Sequence, residues 1–464
     1  MTVESANLQG RKVLFVAYFY PPSGSTGVPG SMRTVKFVRN LSNGECHVLT
    51  VPPAVTLENN ALSHINLPVN GEQVHRVSGW DIFRLLLSVR QSLRKILGKA
   101  SRSDAYATTD ARQSVFKSTS VDDERPASRF QRFKDFVYNL CYFPDQAGPW
   151  IIPAFIAGRR IVRRHNLHVI FATGSPWSGL VTGYLISKTT GKPLIADFRD
   201  PWMNNPFHQS KGKLLDFLSA SLERKVVQQA IAISLNTEPL REEFLERYPQ
   251  LCPDKFFVMP NGFDPADFED IEPEERQKDN TILLLCHAGF LYGVRDPAVL
   301  LEAIRAANTD LDAHGKKVVF RQIGSVELNY DIKERFRDLL ETGALVLEAP
   351  KPYQQCLSAL ASADAVVNIQ PATQSQIPSK LFDYLGINRP IINITSSDGA
   401  LGKLVKTRNL GALAGFNETE KLTKILIREA LNNSARPFEG YQNRSDFDIK
   451  QISRMLADRI AKVS

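Results

Sequence analysis

The chain has 464 residues, of which 43% are hydrophobic and 23% are charged. These values are near the averages of soluble globular proteins and argue against a disordered chain, a collagen-like repeat or a disulfide scaffold. No apolar run is long enough to predict a transmembrane helix, and the first residues lack the pattern of a secretion signal. Five scattered cysteines without CxxC spacing indicate reduced thiols in a cytosolic protein. The net charge of +8 favours anionic partners, either nucleotides, anionic lipid or nucleic acid.

Strands that alternate with helical patterns fill the first part of the chain. The dense apolar run at 12–20 is typical of a strand buried on both faces, as in a parallel sheet. Further strands are predicted at 47–51, 168–172, 193–197, 230–234 and 255–259. This alternation predicts an α/β fold with a doubly wound sheet.

One stretch, residues 79–144, does not fit a compact sheet and is predicted to be a helical insertion. Within 80–97 the apolar positions recur at steps of three and four, and residues 79–102 hold six basic residues against one acidic residue. A basic amphipathic helix of this kind lies on anionic membrane surfaces. It is equally compatible with a helix that packs on its own domain and leaves its basic face in water.

The acidic segment 264–280 contains two prolines and is predicted to be a surface linker between domains. A second α/β half follows, with strands predicted at 281–287, 318–323, 344–347, 365–369 and 390–394. Asp296 and Pro297 are predicted to be the N-cap and first residue of a helix. The last 20 or so residues are predicted to be helical.

The first candidate site is the loop after strand 12–20, which contains Gly24, Gly27 and Gly30 and leads into a helix that carries Arg33. Glycines allow close backbone approach, and a helix N-terminus offers free N–H groups to an anion. The spacing matches neither GxGxxG nor a P-loop, so the alternative is an ordinary strand-to-helix loop.

The second candidate site follows strand 193–197, where Asp197, Arg199, Asp200 and Trp202 occur within six residues. Ligands of open α/β sheets bind beyond the carboxyl ends of the strands. Two carboxylates, a guanidinium and an indole would form a polar site with an aromatic wall, which suits a sugar. The alternative is an Asp–Arg ion pair that closes the loop.

The third candidate site combines a late helix with a loop. Pro378 predicts the first residue of a helix on which Lys380 and Asp383 share one face. A lysine near a helix N-terminus suits a diphosphate, and a carboxylate one turn on suits ribose hydroxyls. The loop with Gly289 and Arg295 would face it, since arginine binds phosphate through its bidentate fork. The alternatives are an exposed Lys–Asp pair and an ordinary turn.

Other functions are disfavoured by what the sequence contains. The eight histidines show no HExxH or paired ligand spacing, so no metal site is predicted. Ser175 does not occupy a GxSxG elbow, and no kinase signature occurs. Nucleic-acid binding is not predicted, because it would need one continuous basic face with interleaved aromatic residues.

The motifs together resemble the GT-B glycosyltransferases, and within them the family 4 glycosyltransferases that use nucleotide sugars. The resemblance is carried by VLFVAYFYPPSGSTGVPGS, ADFRDPW, VMPNGFD, HAGFLYGVRDPAVLLEAI and IPSKLFDYLGINRPII. It implies two Rossmann-like doubly wound domains that face each other across a cleft, with a helical insertion in the N-terminal domain. The implied parts are an acceptor domain at 1–270 with the insertion at 79–144, a linker at 271–280, a nucleotide-sugar domain at 281–440, and a helix within 441–464 that crosses back to the first domain.

The resemblance also implies roles for individual residues. Asp383 matches the second acidic residue of the family's paired motif, which holds the donor ribose. The other implied roles are donor binding by Gly289, Arg295, Ser379 and Lys380, orientation of the reacting sugar by Asp200 and Arg199, and contacts to phosphate or acceptor from the first loop through Gly27 and Arg33. The sequence departs from the family pattern twice, with Ser375 at the first acidic position and Phe290 where an arginine often follows the loop glycine.

The implied activity is transfer of a sugar from a UDP- or GDP-linked donor to a glycan or lipid-linked glycan, in cell-envelope or exopolysaccharide synthesis. The family implies retention of configuration and no metal, with the nucleotide sugar as co-substrate and no other cofactor. The expected location is cytoplasmic, with residues 79–102 as a contact to the anionic membrane face. The alternatives are a nucleotide-sugar epimerase on the same scaffold and a catalytically weak nucleotide-sugar-binding protein, the latter suggested by Ser375 and Phe290.

Overall fold

The computed structural model describes residues 6–22, 28–53, 65–80, 129–205, 210–276, 279–371, 373–433 and 438–462. The predictions made for Gly24 and Gly27 and for most of the amphipathic helix at 80–97 lie outside these residues. Within the predicted insertion, helix α2 at Arg129–Cys141 is described, and residues 81–128 are not.

A parallel sheet of seven strands organises the first half of the chain, and its strand order is β5-β4-β2-β6-β7-β8-β9. These strands are β2 (Lys12–Val16), β4 (Glu45–Thr50), β5 (Gln73–Arg76), β6 (Val169–Gly174), β7 (Leu194–Phe198), β8 (Ala232–Leu235) and β9 (Phe256–Val258). The short strands β1 (Ala6–Asn7) and β3 (Leu41–Ser42) pair separately.

Helices cover both faces of this sheet, as the two-sided apolar runs require. Val13 and Phe15 of β2 point to one face, and Leu14 and Val16 point to the other. The helices of this half are α1 (Val28–Asn40), α2, α3 (Ile151–Arg164), α4 (Ser178–Thr190), α5 (Lys213–Gln229) and α6 (Glu238–Arg247).

A second parallel sheet has six strands in the order β14-β12-β10-β15-β16-β17. Its strands are β10 (Ile282–Ala288), β12 (Lys317–Ile323), β14 (Leu345–Glu348), β15 (Ala365–Ile369), β16 (Ile391–Ile394) and β17 (Ala412–Ala414). The strands β11 (Leu291–Tyr292) and β13 (Val326–Glu327) form a separate pair.

The helices of the second half are α7 (Ala298–Asp312), α8 (Ile332–Arg335), α9 (Arg337–Glu341), α10 (Tyr353–Ser362), α11 (Lys380–Ile387), α12 (Ala400–Arg408), α13 (Thr419–Asn432) and α14 (Ile449–Ala461). Helix α14 begins where the Asp448 carboxylate accepts a hydrogen bond from the Lys450 backbone N–H at 2.8 Å. Its buried residues Ile452 and Leu456 belong to the same apolar core as β2, so the last helix lies against the first sheet.

Each sheet has a switch point, where the chain turns from adding strands on one side to adding them on the other. The switch lies between β2 and β6 in the first sheet and between β10 and β15 in the second. Ligands of doubly wound sheets bind beyond the carboxyl ends of the strands at such points. Gly289 directly follows β10, and the loop that leads to Lys380 follows β15, so both lie at this position in the second sheet.

The predicted strands all occur, with ends that differ by a few residues. The additional strands are β5 and β17 of the two main sheets and the short strands β1, β3, β11 and β13. Helix α11 starts at Lys380 and not at Pro378, and α7 starts at Ala298 with the Asp296 carboxylate accepting from its N–H at 2.8 Å. The segment predicted as a surface linker begins with a buried residue, Asp264, whose carboxylate accepts from Arg39 of α1 at 2.9 Å. Its first residues therefore belong to the first domain's packing.

None of the helices in the described part of the chain combines the length and the apolarity needed to cross a membrane.

Candidate active site

Loops from both sheets meet in the gap between them. The Thr237 hydroxyl, which also caps α6, donates to the Ser375 carbonyl oxygen at 2.6 Å. The Gln376 side-chain amide donates to an Asp200 carboxylate oxygen at 3.1 Å. The segment after β15 thus touches the loop after β7 across the cleft between the two sheets.

Gly289 and Lys380 are in direct contact on the second-domain side of this cleft. The φ angle of Gly289 is +139°, a value that L-residues with side chains rarely adopt. A Cβ atom at this position would collide with the Lys380 ammonium, so that group lies over the Gly289 Cα. The glycine is therefore required both by its backbone conformation and by the lysine.

A buried polar pair behind Gly289 fixes the loop. The His287 Nδ1 atom and the Gln322 side-chain oxygen are 2.7 Å apart. The Gln322 side-chain amide donates to the Gly289 backbone carbonyl oxygen, also at 2.7 Å. Burial, together with the positive charges of Lys380 and Arg295, holds the pKa of His287 well below its usual value. A neutral imidazole at this place adds no further positive charge to the cleft.

Arg295 supplies the second cation. Its guanidinium carbon lies 5.3 Å from the centre of the Tyr292 ring, and the Phe290 ring stacks on Tyr292 at 5.1 Å. The buried Nε–H of Arg295 has no hydrogen-bond acceptor among the described residues. Phe290 stands at the position where the family often has arginine. It belongs to an aromatic stack with Tyr292, on which the Arg295 guanidinium lies.

Neither Lys380 nor Arg295 forms an ion pair with any carboxylate in the described ranges. Burial and the charge of Arg295 lower the pKa of Lys380 to about 8. Two positive groups that repel each other in a partly buried position are unfavourable unless an anion joins them. The arrangement is therefore suited to a ligand that carries at least two negative charges.

Asp383 lies one helical turn after Lys380 and does not form an ion pair with it. The Tyr353 hydroxyl donates to an Asp383 carboxylate oxygen at 3.1 Å. Burial raises the pKa of Asp383, while the charges of Lys36 from the first domain and of Lys380 oppose this change. The carboxylate thus faces the gap, where it can accept hydrogen bonds from hydroxyl groups.

Asp200 occupies the first-domain side of the cleft. Burial raises the pKa of its carboxyl group, and the charge of Arg199 and the hydrogen bond from Gln376 act in the opposite direction. Arg199 does not form an ion pair with Asp200. Its guanidinium donates to the carbonyl oxygens of Gly174 and Ser175 at the end of β6. Arg199 therefore positions the loop below Asp200, and the structure gives no support to a direct contact with a sugar.

The prediction for Asp197 and Trp202 as parts of a sugar site is wrong. Asp197 is fully buried and accepts hydrogen bonds from Thr173, Ser234 and Arg33. Trp202 is 2% exposed, and its ring stacks on Trp177. Both side chains belong to the interior because β7 and the chain that follows it are covered by helices on both sides.

Arg33 is also not available to a phosphate in the way the sequence suggested. All five of its N–H groups donate within the protein, two of them to the Asp197 carboxylate at 2.9 and 3.0 Å. The others donate to the carbonyl oxygens of Met259 and Pro260 and to the side chain of Asn261. Arg33 therefore joins α1, β7 and the turn after β9.

Ser379 is the residue before α11, and its side chain makes no capping hydrogen bond there. Ser379 lies next to Lys380, and its contact with the nucleotide-sugar donor stays a prediction. Gly27 lies outside the described residues.

Tyr353 and Gln376 belong to the site but were not identified from the sequence. Tyr353 follows β14 at the carboxyl end of a strand, which is the signal that could have pointed to it. Gln376 stands beside the IPSK motif, but its contact with Asp200 spans 176 positions. Such long-range contacts have no local sequence pattern.

Comparisons with known proteins bear on the family and the fold of the chain. The family model described as Glycosyltransferase Family 4 matches residues 113–267. No curated protein sequence matches the chain.

Solved structures align over nearly the whole chain. Sucrose-phosphate synthase from Thermosynechococcus elongatus has 12% identity and a TM-score of 0.55, with 97% of this chain and 98% of that chain covered. Anabaena HepE, solved with UDP-glucose, has 13% identity and a TM-score of 0.53, with 97% and 99% covered. The α,α-trehalose 6-phosphate synthase from Burkholderia multivorans has 11% identity and a TM-score of 0.53, with 98% and 97% covered. The GT-B fold and the resemblance to family 4 glycosyltransferases are confirmed.

The Arg33–Asp197 pair gives a test of the corrected role. We expect Arg33→Ala to lower the free energy of unfolding by about 3–5 kcal/mol, because it leaves a buried carboxylate without its counter-charge. Urea denaturation followed by circular dichroism measures this difference. The exposed Arg428→Ala is the control and should change stability by less than about 0.5 kcal/mol. Equal stability of the two variants would contradict the structural role of Arg33.

Proposed function

We propose that this chain, which carries a Glycosyltransferase Family 4 segment in a GT-B fold, is a glycosyltransferase that transfers a hexosyl group from a nucleotide sugar to a glycan acceptor. One observation carries the proposal: Lys380 and Arg295 are two partly buried cations in the cleft with no carboxylate bound to them in the described residues. A nucleotide diphosphate is the anion that matches two such cations beside a carboxylate for ribose.

The two cations would act mainly in the transition state. When the bond between the sugar C1 and the diphosphate oxygen breaks, the diphosphate leaves with the electron pair and gains negative charge. Lys380 and Arg295 would neutralise this charge from fixed positions, so that little reorganisation is needed during the reaction. This role is the basis for proposing a mechanism without a metal ion.

Asp383 would accept hydrogen bonds from the ribose hydroxyls of the donor. Its hydrogen bond from Tyr353 holds one carboxylate oxygen, and the second oxygen remains for the ligand. Gly289, Ser379 and the start of α11 would contact the diphosphate through the backbone.

The acceptor hydroxyl would approach from the first-domain side, where Asp200 lies, and would attack C1 on the face from which the diphosphate departs. Its proton would pass to the departing diphosphate oxygen, so that the configuration at C1 is retained. We propose that Asp200 orients the reacting sugar through its free carboxylate oxygen, while Gln376 and Arg199 hold its loop. We further propose retention of the anomeric configuration and a glycan or lipid-linked glycan as the acceptor, in cell-envelope or exopolysaccharide synthesis. The donor nucleotide is proposed to be UDP or GDP, and the UDP-glucose bound to the neighbour HepE makes UDP-glucose the first donor to test.

A lipid-linked acceptor would bring the enzyme to the cytoplasmic face of a membrane. Residues 79–102, with their six basic residues, are proposed as the membrane contact. Residues 81–102 lie outside the described part of the chain, so this proposal rests on their sequence pattern.

Removal of either cation tests the proposed donor site. We expect Lys380→Ala and Arg295→Ala each to weaken binding of the matching nucleotide sugar about 10- to 100-fold, as loss of a charge-assisted hydrogen bond predicts. Calorimetry with UDP-glucose, UDP-galactose and GDP-mannose measures binding, and nucleotide release with a glycan acceptor measures turnover. Lys403→Ala, an exposed lysine on the same domain, should behave as the wild type.

The outcomes separate the three functions considered. No binding or turnover with any nucleotide sugar would contradict the proposal. Conversion of one nucleotide sugar into another without an acceptor would identify an epimerase. Tight binding without turnover across a broad acceptor set would indicate a binding protein.

The pH dependence of donor binding provides a further test. Because the pKa of Lys380 is about 8, the free protein loses this charge as the pH rises through that value. We expect nucleotide-sugar affinity to be constant near pH 7 and to fall by up to about tenfold per pH unit above pH 8. The diphosphate of a nucleotide sugar keeps its charge throughout this range. Lys380→Arg should remove the dependence, since its guanidinium stays charged. The same pH profile in both proteins would show that Lys380 is not the titrating group.

Charge reversal tests the membrane contact. In Arg84→Glu/Arg90→Glu/Arg94→Glu, sedimentation with vesicles rich in phosphatidylglycerol should decrease strongly, because each surface cation contributes about 1 kcal/mol to binding of an anionic bilayer. The control reverses three exposed lysines of the second domain, Lys403, Lys406 and Lys424, and should retain binding. An equal decrease in both variants would mean that only the total charge matters.

A further inference from the structure

Three histidines that are far apart in the sequence meet at the edge of the first sheet. His47 lies in β4, His75 lies in the edge strand β5, and His165 directly follows α3. One ring nitrogen from each lies within 4.8 Å of the other two. The sequence predicted no metal site because histidine spacing was judged along the chain, whereas this cluster forms across three elements.

Ring nitrogens of the three histidines lie close together. The His47 Nδ1 and His75 Nε2 atoms are 2.9 Å apart, and the ring centres of His47 and His165 are 4.5 Å apart. In a tetrahedral zinc site with bonds of 2.0–2.1 Å, ligand nitrogens are about 3.3 Å from each other. The first pair is thus close to the required separation, and the His165 nitrogen, which lies within 4.8 Å of the other two, would have to move closer to complete the set.

A carboxylate sets the tautomer of the central ring. The Glu45 carboxylate lies 2.8 Å from the His47 Nε2 atom, where it accepts the ring N–H. Metal-bound histidines commonly donate their second N–H to a carboxylate in this way. The His47 Nδ1 lone pair then accepts the Nε2–H of His75, and a metal ion would replace this hydrogen bond once the His75 proton moves to its Nδ1 atom. Burial and neighbouring positive groups lower the pKa of His75 to about 4, and burial also lowers the pKa of His47. Both rings are therefore neutral at pH 7, the form that binds metals.

The surroundings allow a fourth ligand. His47 is fully buried, but His75 and His165 are partly exposed, so water can reach the cluster. Imidazole ligands suit zinc, copper, iron and nickel, and a site of three histidines and a water is a common zinc arrangement.

We propose that His47, His75 and His165 form a zinc-binding site that ties the edge strand β5 to β4 and to the end of α3. His165 precedes β6, so it lies at the amino end of the sheet, opposite to the edge that carries Asp200. The site is therefore separate from the sugar-transfer cleft, and its role is to stabilise the first domain. This proposal does not depend on the proposed activity.

Zinc titration of the chelator-treated full-length protein tests the site. We expect one zinc ion per chain in competition with a chromophoric chelator, and a rise in the melting temperature when zinc is added. Cobalt should give visible absorption of the intensity typical of four-coordinate sites with nitrogen ligands.

Variants then assign the ligands. His75→Gln and His165→Gln, at partly exposed positions, should each weaken zinc binding at least about tenfold and abolish the zinc-dependent rise in melting temperature. His314→Gln, an exposed histidine of the second domain, is the control and should bind zinc as the wild type does. Circular dichroism checks that each variant is folded, and UDP-glucose binding by His75→Gln should be unchanged.

Two results would overturn the proposal. One is the absence of stoichiometric zinc binding by the wild-type protein, which would leave the cluster as a hydrogen-bonded stack of neutral rings. The other is zinc binding that both histidine variants retain, which would place the metal elsewhere in the chain.

Discussion

Two cations to which no carboxylate of the described residues is bound are the feature on which the cleft depends. Lys380 lies over the Gly289 Cα, and Arg295 lies on an aromatic stack with its Nε–H unsatisfied. Their mutual repulsion and partial burial cost free energy in the ligand-free protein. The surrounding fold must therefore hold them in place. The glycine at 289 makes room for the ammonium, and the buried His287–Gln322 pair fixes the loop.

In the first domain, by contrast, the charged groups of Arg33 and Asp197 are fully hydrogen-bonded within the protein. Every N–H group of Arg33 is used within the protein, and the Asp197 carboxylate accepts four hydrogen bonds. A fully satisfied buried pair fixes local geometry but has no capacity left for a ligand. Some charged residues of a motif thus hold the scaffold, whereas others remain free to bind a substrate. The hydrogen bonds that each side chain makes within the protein distinguish the two groups.

Polar side chains make contacts between the two domains. Thr237 and Gln376 connect the loop after β15 to the first domain, and they hold Ser375 and Asp200 in their positions. Ser375 stands where the family has an acidic residue, and its backbone carbonyl, not its side chain, makes the contact with Thr237. Asp200 keeps one carboxylate oxygen free of protein hydrogen bonds in the described residues, which leaves the first-domain side of the cleft able to bind a sugar.

Patterns along the chain were enough to predict the two parallel sheets, the alternation of strands and helices, and the motifs at Gly289, Arg295, Lys380 and Asp383. Dense apolar runs specify strands buried on both faces, and chain order places strand-end loops at one edge. The interior positions of Arg33, Asp197 and Trp202 could be seen only in the folded structure. The cluster of His47, His75 and His165 also became visible only there. The edge strand β5 and the contact of Gln376 with Asp200 also emerged only there. The burial and the partners of a side chain depend on elements that are distant in sequence. The period and spacing of residues along the chain indicate only local structure.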